Sequence, residues 1–198
     1  MSPADIDGVA QADLDEAAAL VAEQLRRWRP DVVVTYDPTG GYGHPDHIQA
    51  HRVTMAALTA LPDDERPGRV YWALTPRAWA QEDRRWVCDH VDVADQPGLT
   101  LPEADAPYPP SVVDDDAVTH AIVDAEAAGL RTRVLREHRT QVTVLGADYA
   151  LSNNIAARRS DREGYVLVDR GTGAPVTGDA VAPGRHTGLL PNESRKVP

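Results

Sequence analysis

The chain has only one cysteine, Cys88, among its 198 residues. A single thiol excludes an internal disulfide framework and any zinc site built from several cysteines. Long apolar runs are also missing, because no stretch approaches the roughly 18 residues that a membrane-spanning helix requires. The first residues, Met1 to Asp7, are acidic and lack the apolar core of a signal peptide. These absences predict a cytoplasmic protein with no membrane segment.

Basic residues are outnumbered by acidic ones. The sequence has 20 Lys and Arg against 31 Asp and Glu, which gives a formal net charge of −11. Such a charge repels phosphate backbones, so nucleic acid is excluded as a predicted partner. Hydrophobic residues make up 42% of the chain, which suits one compact domain with its own core. No oligomeric state is predicted.

The first third of the chain has the pattern of an α/β protein. Apolar residues recur at steps of three and four from Asp13 to Trp28, which predicts a helix. The run DVVVTY at residues 31–36 follows at once, and its lack of polar alternation is typical of a buried parallel strand. A glycine-rich loop at 37–43 leads to a second predicted helix over residues 45–61, with a proline as its first residue.

Weaker patterns predict the remaining elements. They are strands at 69–74, 86–93 and 165–169, an irregular connection at 96–110, and a strand at 118–125 that leads into a helix through Arg139. No linker divides the chain clearly. The sequence therefore predicts one domain over residues 1–170 and a tail over 171–198 that is rich in Gly and Pro.

A cluster of polar residues lies at the junction between the first strand and the second helix. Its members are Tyr42, His44, Asp46, His47 and His51. On a helix that begins near residue 45, the three histidines are spaced i, i+3 and i+7 and share one face. Neutral imidazoles are common zinc ligands, and a neighbouring carboxylate fixes the tautomer of such a ring. In α/β sheets, ligands bind at the loops beyond the carboxyl ends of strands, where this cluster is expected.

The segment VTYDPTGGYGHPDH at residues 34–47 resembles the second motif of the PIG-L (LmbE-like) zinc deacetylases. The stretches HRTQV at 138–142 and LSNN at 151–154 also agree with that family, and the resemblance extends from about Val21 to about Val168. It is strongest to the branch that removes the acetyl group from N-acetyl-glucosaminyl-myo-inositol in mycothiol biosynthesis. The resemblance implies a Rossmann-like α/β fold and zinc-dependent hydrolysis of an amide in a small amino-sugar substrate.

The resemblance also implies a role for each residue of the motif. His47 resembles the zinc ligand that this motif supplies. His44 resembles the histidine that protonates the leaving amine or stabilises the oxyanion, with Asp46 orienting it. Tyr42 resembles a mobile tyrosine that helps to bind the tetrahedral intermediate. The zinc would polarise the acetyl carbonyl and lower the pKa of a bound water, although iron would suit such ligands as well.

One part of the family pattern is missing from the sequence. The first motif of these enzymes, Ala-His-Pro-Asp-Asp, supplies two zinc ligands and the general base, and no such string precedes Val32. Pro62-Asp63-Asp64 lacks the histidine and follows a helix. We therefore expect the chain to be the C-terminal portion of a Rossmann-like PIG-L fold, without its first strand or strands. Such a chain would be inactive by itself, with an uncovered sheet edge and poor solubility.

Three alternatives remain open at this point. The sister amidase that cleaves mycothiol S-conjugates would use the same chemistry on a different substrate. A non-catalytic PIG-L-like module would still bind sugar, or would obtain the missing half of the site from a partner chain. In a self-contained metal site, His51 would join His44 and His47, although the glutamate of an HExxH motif is absent.

Overall fold

A computed structural model of the chain describes residues 8–94, 96, 98–176, 186–190 and 195–196. Within these ranges the helices are α1 (Leu14–Trp28), the single turn α2 (Gly40–Gly43), α3 (Pro45–Ala60), α4 (Arg77–His90) and α5 (Ala127–Glu137). The strands are β1 (Val32–Tyr36), β2 (Arg69–Pro76), β3 (Val112–Val113), β4 (His120–Val123), β5 (Val142–Val144), β6 (Asp148–Leu151), β7 (Ala156–Arg158), β8 (Arg162–Val168), β9 (His186–Thr187) and β10 (Arg195–Lys196). The predicted α/β class is confirmed.

The first predicted helix is confirmed as α1. Its N-cap, Asp13, accepts a hydrogen bond from the backbone N–H of Glu16 at 2.9 Å, which satisfies one of the free donors of the first turn. Arg29 ends the helix in a left-handed conformation with φ of 46°, and Pro30 follows. The buried face of α1 consists of Ala18, Ala22 and Leu25.

The predicted strand at 31–36 and helix at 45–61 are confirmed as β1 and α3. They form a β–α–β unit, because β2 lies parallel to β1 with Val32 opposite Arg69 and Tyr36 opposite Ala73. Pro45 occupies the first turn of α3 and His44 is its N-cap. The core lies between α1, α3 and one face of the sheet, and its buried members include Leu58, Leu61, Val70, Val166 and Val168.

The large sheet is mixed in strand direction. Its order is β1-β2-β8-β4-β9-β10, and β3 pairs with the end of β2. β8 is antiparallel to both of its neighbours, β2 and β4, whereas β4 and β9 are parallel. The strand predicted at 165–169 is therefore confirmed as the end of β8, which begins three residues earlier. A separate antiparallel sheet contains β5, β6 and β7.

The strand predicted over residues 86–93 is wrong. Residues 77–90 form α4, and 91–93 continue as an irregular segment. The ring of Trp86 stacks on His90, one helical turn later, with centroids 4.8 Å apart. Val87 is the buried residue of α4. Spacing of three to four residues, rather than alternation, therefore governs this stretch.

The strand and helix predicted between 118 and 139 are confirmed as β4 and α5. The irregular connection predicted over 96–110 is confirmed for its described residues, which make only an isolated bridge between Thr100 and Ile155.

Regular pairing continues beyond residue 170, where the predicted tail begins. The N–H of Val176 donates to Leu167 at 2.9 Å, and Pro175 makes a bridge to Val168. His186 of β9 pairs with His120. Residues 177–185, 191–194 and 197–198 of the predicted tail lie outside the described residues, as do residues 1–7. The boundary at residue 170 stays a prediction.

In the part of the chain that the structure describes, no helix is both long enough and apolar enough to cross a membrane.

Candidate active site

The motif predicted to carry the chemistry lies beyond the carboxyl end of β1. The first residue after the strand, Asp37, is buried and organises the loop. Its Oδ1 accepts a hydrogen bond from the N–H of Gly41 at 2.7 Å, and its Oδ2 accepts from the N–H and the hydroxyl of Thr39. One carboxylate therefore holds three donors of the loop that leads to Tyr42 and His44.

Gly40 allows this loop to pass close to α3. Its φ is +67°, and a Cβ at this position would lie 2.6 Å from the backbone nitrogen of Ile48 and 2.9 Å from the Cβ of His47. A side chain here would suffer both the left-handed backbone strain and a steric clash. The glycine thus brings its carbonyl to the ring of His47.

His47 is held in an orientation that suits a metal ligand. Its Nδ1 lies 3.2 Å from the carbonyl oxygen of Gly40. Because a carbonyl only accepts, Nδ1 carries the proton and Nε2 keeps a free lone pair. The ring also stacks on Tyr36, with centroids 4.2 Å apart and planes 8° from parallel. Both contacts fix the imidazole before any ligand binds.

His44 caps α3 with its own ring. The backbone N–H of Asp46 donates to Nδ1 of His44 at 3.2 Å. In the neutral ring the proton therefore lies on Nε2, which makes that atom a hydrogen-bond donor. The ring centroids of His44 and His47 are 4.9 Å apart.

The carboxylate of Asp46 makes no hydrogen bond to His44. Its Oδ1 accepts a hydrogen bond from the N–H of Ala10 at 2.8 Å, and its Oδ2 is 3.9 Å from Nδ1 of His44. The second distance is too long for a hydrogen bond. Asp46 therefore orients His44 through its backbone N–H, while its carboxylate ties the N-terminal turn to α3.

Tyr42 lies at the mouth of the cluster and is 54% exposed. Its ring meets His47 and His44 edge-on, at centroid distances of 5.1 Å and 5.9 Å. Partial burial and the neighbouring Tyr36 raise the pKa of Tyr42 above its usual 10.0. The phenol is therefore protonated at neutral pH and can donate a hydrogen bond. The structure thus brings Tyr42, His44 and His47 together, as the motif predicts.

His51 does not join this cluster. Its side chain is buried, its Nδ1 lies 2.8 Å from the carbonyl oxygen of Tyr36, and its ring meets Trp72 edge-on. These contacts hold the end of β1 against α3. His51 therefore has a packing role, and the self-contained site of three histidines has no geometric support.

The described residues do not fit a complete zinc site. They contain no group of three or more His, Cys, Asp or Glu side chains that could hold a metal ion. A catalytic zinc needs three protein ligands and a water, and this cluster offers one nitrogen with a free lone pair, Nε2 of His47.

A cavity of about 440 Å³ lies across the carboxyl ends of β1 and β2. Its lining includes Tyr36, which stacks on His47, but not Tyr42, His44 or His47 themselves. Its size is that of a small-molecule site. His138, Gln141, Asn153 and Asn154, which the flanking stretches contain, are exposed and are not among its lining residues.

Sequence reasoning missed Asp37 and the arginines of the cavity. Asp37 carries a signal, because an Asp that directly follows a buried strand and precedes Pro-Thr-Gly favours a side-chain-stabilised turn. The arginines carry none, since they come from α5, β7, the β7–β8 connection and β8 and meet only in three dimensions.

Residues 6–58 match the PIG-L family, described as GlcNAc-PI de-N-acetylase. The chain is 40% identical over 196 residues to a protein of Thermomonospora curvata named 1D-myo-inositol 2-acetamido-2-deoxy-alpha-D-glucopyranoside deacetylase. The resemblance to the PIG-L family is confirmed. Proteins with the same name in Acidothermus cellulolyticus and Rhodococcus jostii are 41% and 40% identical, over 84% and 96% of this chain. The PIG-L match includes the whole Tyr42–His47 cluster.

The chain spans part of the length of these PIG-L relatives. The aligned region covers 91% of this chain but 60% of the Thermomonospora protein. The corresponding shares of the Acidothermus and Rhodococcus proteins are 54% and 64%.

Proposed function

We propose that this chain provides part of the active site of an enzyme that removes the acetyl group from N-acetyl-glucosaminyl-myo-inositol. The observation that carries the proposal is the cluster of Tyr42, His44 and His47, in which the Nδ1 atom of each histidine has a backbone partner and each Nε2 atom stays available to a ligand. The name that the relatives share, at about 40% identity, supports the substrate. We place this enzyme in the cytoplasm, and its substrate is a small amino sugar.

His47 is proposed to provide one zinc ligand through Nε2. The remaining ligands and the general base would come from outside the described residues, which contain no group of three or more His, Cys, Asp or Glu side chains that could hold a metal ion. In this view the chain is the C-terminal portion of a Rossmann-like PIG-L fold. The position of β1 at the end of the described sheet order, with Val34 45% exposed, supports that view.

His44 and Tyr42 are proposed to act on the acetyl group and on the departing amine. Nε2 of His44 and the phenol of Tyr42 are hydrogen-bond donors, and the two rings lie with their centroids 4.9 Å and 5.1 Å from that of His47. Donors placed there would stabilise the negative charge that develops on the carbonyl oxygen when water attacks. For the departure of the amine, His44 would act in its imidazolium form, giving the Nε2 proton to the amine nitrogen as the C–N bond breaks and returning to the neutral ring.

Nothing in the geometry favours the mycothiol S-conjugate amidase over the deacetylase. The remaining alternative, a non-catalytic module, is distinguished by the test that follows.

The test measures zinc content and amine release from N-acetyl-glucosaminyl-myo-inositol for two proteins. One is the 198-residue chain, and the other is a hybrid that adds the segments of the Thermomonospora protein that lie outside the aligned region. We expect the hybrid to bind about one zinc per chain and to release amine, and the chain alone to do neither. His47→Ala in the hybrid should abolish zinc binding, whereas His138→Ala, an exposed histidine outside the cluster, should have no effect.

Two results would contradict the proposal. A hybrid that binds zinc and sugar without releasing amine would support a non-catalytic module. Tight zinc binding and turnover by the 198-residue chain alone would show that the ligand set is complete within it.

A further inference from the structure

The ring of His47 is connected to the buried carboxylate of Asp37 through a single peptide group. The carbonyl oxygen of Gly40 lies 3.2 Å from Nδ1 of His47, and the N–H of Gly41 donates to Oδ1 of Asp37 at 2.7 Å. This carbonyl and this N–H belong to one peptide bond, which is trans and planar, so they point in opposite directions. Two hydrogen bonds in series therefore join Asp37 to His47.

Asp37 brings a negative charge to one end of this series. Its side chain is 5% exposed, and a carboxylate withdrawn from water depends on the hydrogen-bond donors around it. In the low dielectric of a protein interior, the charge polarises the groups that it binds, and hydrogen bonds in series strengthen one another. The Gly40 carbonyl is therefore a stronger acceptor than a peptide carbonyl without such a partner.

A strong acceptor at Gly40 favours the neutral form of His47 in which Nδ1 carries the proton. Nε2 then keeps the lone pair that a metal ion requires. In many metal sites a carboxylate binds the Nδ1–H of the ligating histidine directly, which fixes the tautomer and makes the other nitrogen more basic. Here the carboxylate is one peptide group further away.

The chain contains a second aspartate loop that serves as an internal comparison. In both loops a carboxylate accepts hydrogen bonds from the N–H of a glycine and from the N–H and hydroxyl of a threonine. The sets are Asp37 with Thr39 and Gly41, and Asp169 with Gly171 and Thr172. Asp169 is exposed and follows Val168, which pairs with Val70 near the start of β2. The second loop therefore has similar local bonding at the opposite end of the sheet from His47.

We propose that Asp37 is a positioning residue of the candidate active site, which holds His47 in its metal-binding form through the Gly40–Gly41 peptide group. The proposal rests on the proposed function in one respect, because it takes His47 as a zinc ligand. The position of the proton on the ring does not depend on that assignment and can be measured without a metal ion.

The first test is nitrogen NMR of the metal-free 198-residue chain at alkaline pH, where imidazole rings are neutral. The nitrogen chemical shifts distinguish a protonated ring nitrogen from an unprotonated one, and His47→Gln identifies the signals of His47 by their loss. We expect Nδ1 of His47 to carry the proton. This measurement needs no variant of Asp37, so it holds even if such a variant fails to fold.

Three variants separate the charge of Asp37 from the shape of its loop. Asp37→Asn keeps the size and removes the charge, and it should convert His47 to a mixture of the two neutral tautomers. Thr39→Val removes one hydroxyl donor but keeps the charge and the Gly41 hydrogen bond, so His47 should stay protonated at Nδ1. Asp169→Asn makes the same exchange in the other loop and should leave His47 unchanged. Urea unfolding establishes that each variant is folded.

The second test measures the zinc affinity of the hybrid by competition with a chelator. We expect Asp37→Asn to weaken zinc binding by about tenfold to a hundredfold, which is the usual loss when a group that orients a metal ligand is changed. Asp169→Asn should bind zinc as tightly as the unmodified hybrid.

Four results would overturn the proposal: a wild-type His47 protonated at Nε2, an unchanged ring in folded Asp37→Asn, equal effects of Asp37→Asn and Asp169→Asn on His47, or unchanged zinc affinity in the Asp37→Asn hybrid. Failure of the proposed function gives a different result. If the hybrid neither binds zinc nor releases amine while Asp37→Asn still changes the tautomer of His47, then the deacetylase proposal fails and the positioning role of Asp37 stands.

Discussion

At the scale of single residues, the site depends on how closely Gly40 lies against α3. The carbonyl that orients His47 belongs to this residue, and its backbone has φ of +67°. The atom that a Cβ at this position would meet first is the backbone nitrogen of Ile48. The loop and the helix therefore cannot separate to admit a methyl group without moving His47.

We expect Gly40→Ala to lower the free energy of unfolding by about 3 kcal/mol or more, because left-handed strain and overpacking add. Gly43→Ala is the matched control. Gly43 also has a positive φ, of +88°, but nothing lies within 4 Å of its Cβ position, so strain alone should cost about 1 kcal/mol. Urea unfolding of both variants measures the difference, and equal losses would show that the clash is relieved by a small shift.

The catalytic motif is the part of the site that sequence best predicts. Tyr42, His44 and His47 are close along the chain, and a strand–loop–helix junction brings them together whatever the rest of the fold does. The ion pairs of Arg158 and Arg162 in the cavity wall could not be predicted, because their partners come from a distant helix. Those partners, Glu82 and Asp83, are about 75 residues away in the sequence.

At the scale of elements, ion pairs hold α4 against β7 and β8. Glu82 and Asp83 project from the helix to Arg158 at the end of β7 and Arg162 at the start of β8. Hydrogen bonds from Arg162, followed by those from Arg158, lower the pKa of Glu82 below its usual 4.5 despite partial desolvation. The cluster therefore makes a contribution to stability that depends on pH.

The sign of that contribution follows from the lowered pKa of Glu82. A carboxyl group whose folded pKa is depressed stabilises the fold above its unfolded pKa, and this stabilisation is lost as the pH falls through the folded value. We expect Glu82→Gln to lower the free energy of unfolding at pH 7 by less than about 1 kcal/mol, since the side chain is half exposed. The difference from wild type should shrink at pH values well below 4.5.

Urea unfolding at neutral and acidic pH measures this difference. Glu23→Gln, an exposed position on α1 without an ion pair in the described structure, serves as the control and should show no pH-dependent difference. A loss in Glu82→Gln that persists unchanged in acid would mean that the carboxylate acts through packing rather than charge.

The element that the sequence predicts incorrectly is α4. The stretch WVCDHVDV contains three valines, which favour a strand, yet its first five residues complete a helix that begins at Arg77. The deciding contacts are the ion pairs of Glu82 and Asp83 with β7 and β8 and the burial of Val87. Each involves distant parts of the chain, so local propensity favours the wrong structure.

At the scale of the whole molecule, β1 lies at one end of the described sheet and β2 covers only one of its sides. Val34 of β1 is 45% exposed, and Trp28 at the end of α1 is 70% exposed. An uncovered strand with apolar side chains is a template for pairing with another chain. The poor solubility expected from the sequence stays a prediction, and this uncovered strand is where we expect it to originate.

We expect the 198-residue chain to associate as its concentration rises, and Val34→Lys to reduce this association, because a lysine on an edge strand opposes pairing. Val123→Lys is the control. Val123 is 63% exposed, but it lies on β4 opposite Arg162 of β8. Sedimentation velocity over a range of concentrations measures the effect, and equal behaviour of the two variants would exclude the β1 edge as the cause.

The overall topology is predictable only in part. The parallel pairing of β1 and β2 follows from the α/β pattern, because a strand that is reached through a crossover helix runs parallel to the strand before it. The insertion of β8 between β2 and β4 in the antiparallel sense does not follow, because nearly 90 residues separate β8 from β2. Pairing at that range depends on the packing of the whole core, as does the separate sheet of β5–β7.

The stacking of His47 on Tyr36 should also be visible in the proton NMR signals of this imidazole. Its ring lies 4.2 Å above the phenol and almost parallel to it, so the aromatic current of Tyr36 shields the carbon-bound protons of His47. Among the seven histidines of the chain, the resonances of His47 should be displaced upfield in a proton spectrum, as should those of His90, which stacks on Trp86. Tyr36→Leu would remove the displacement and assign the signal, and the same resonances would then show directly when a metal ion occupies Nε2.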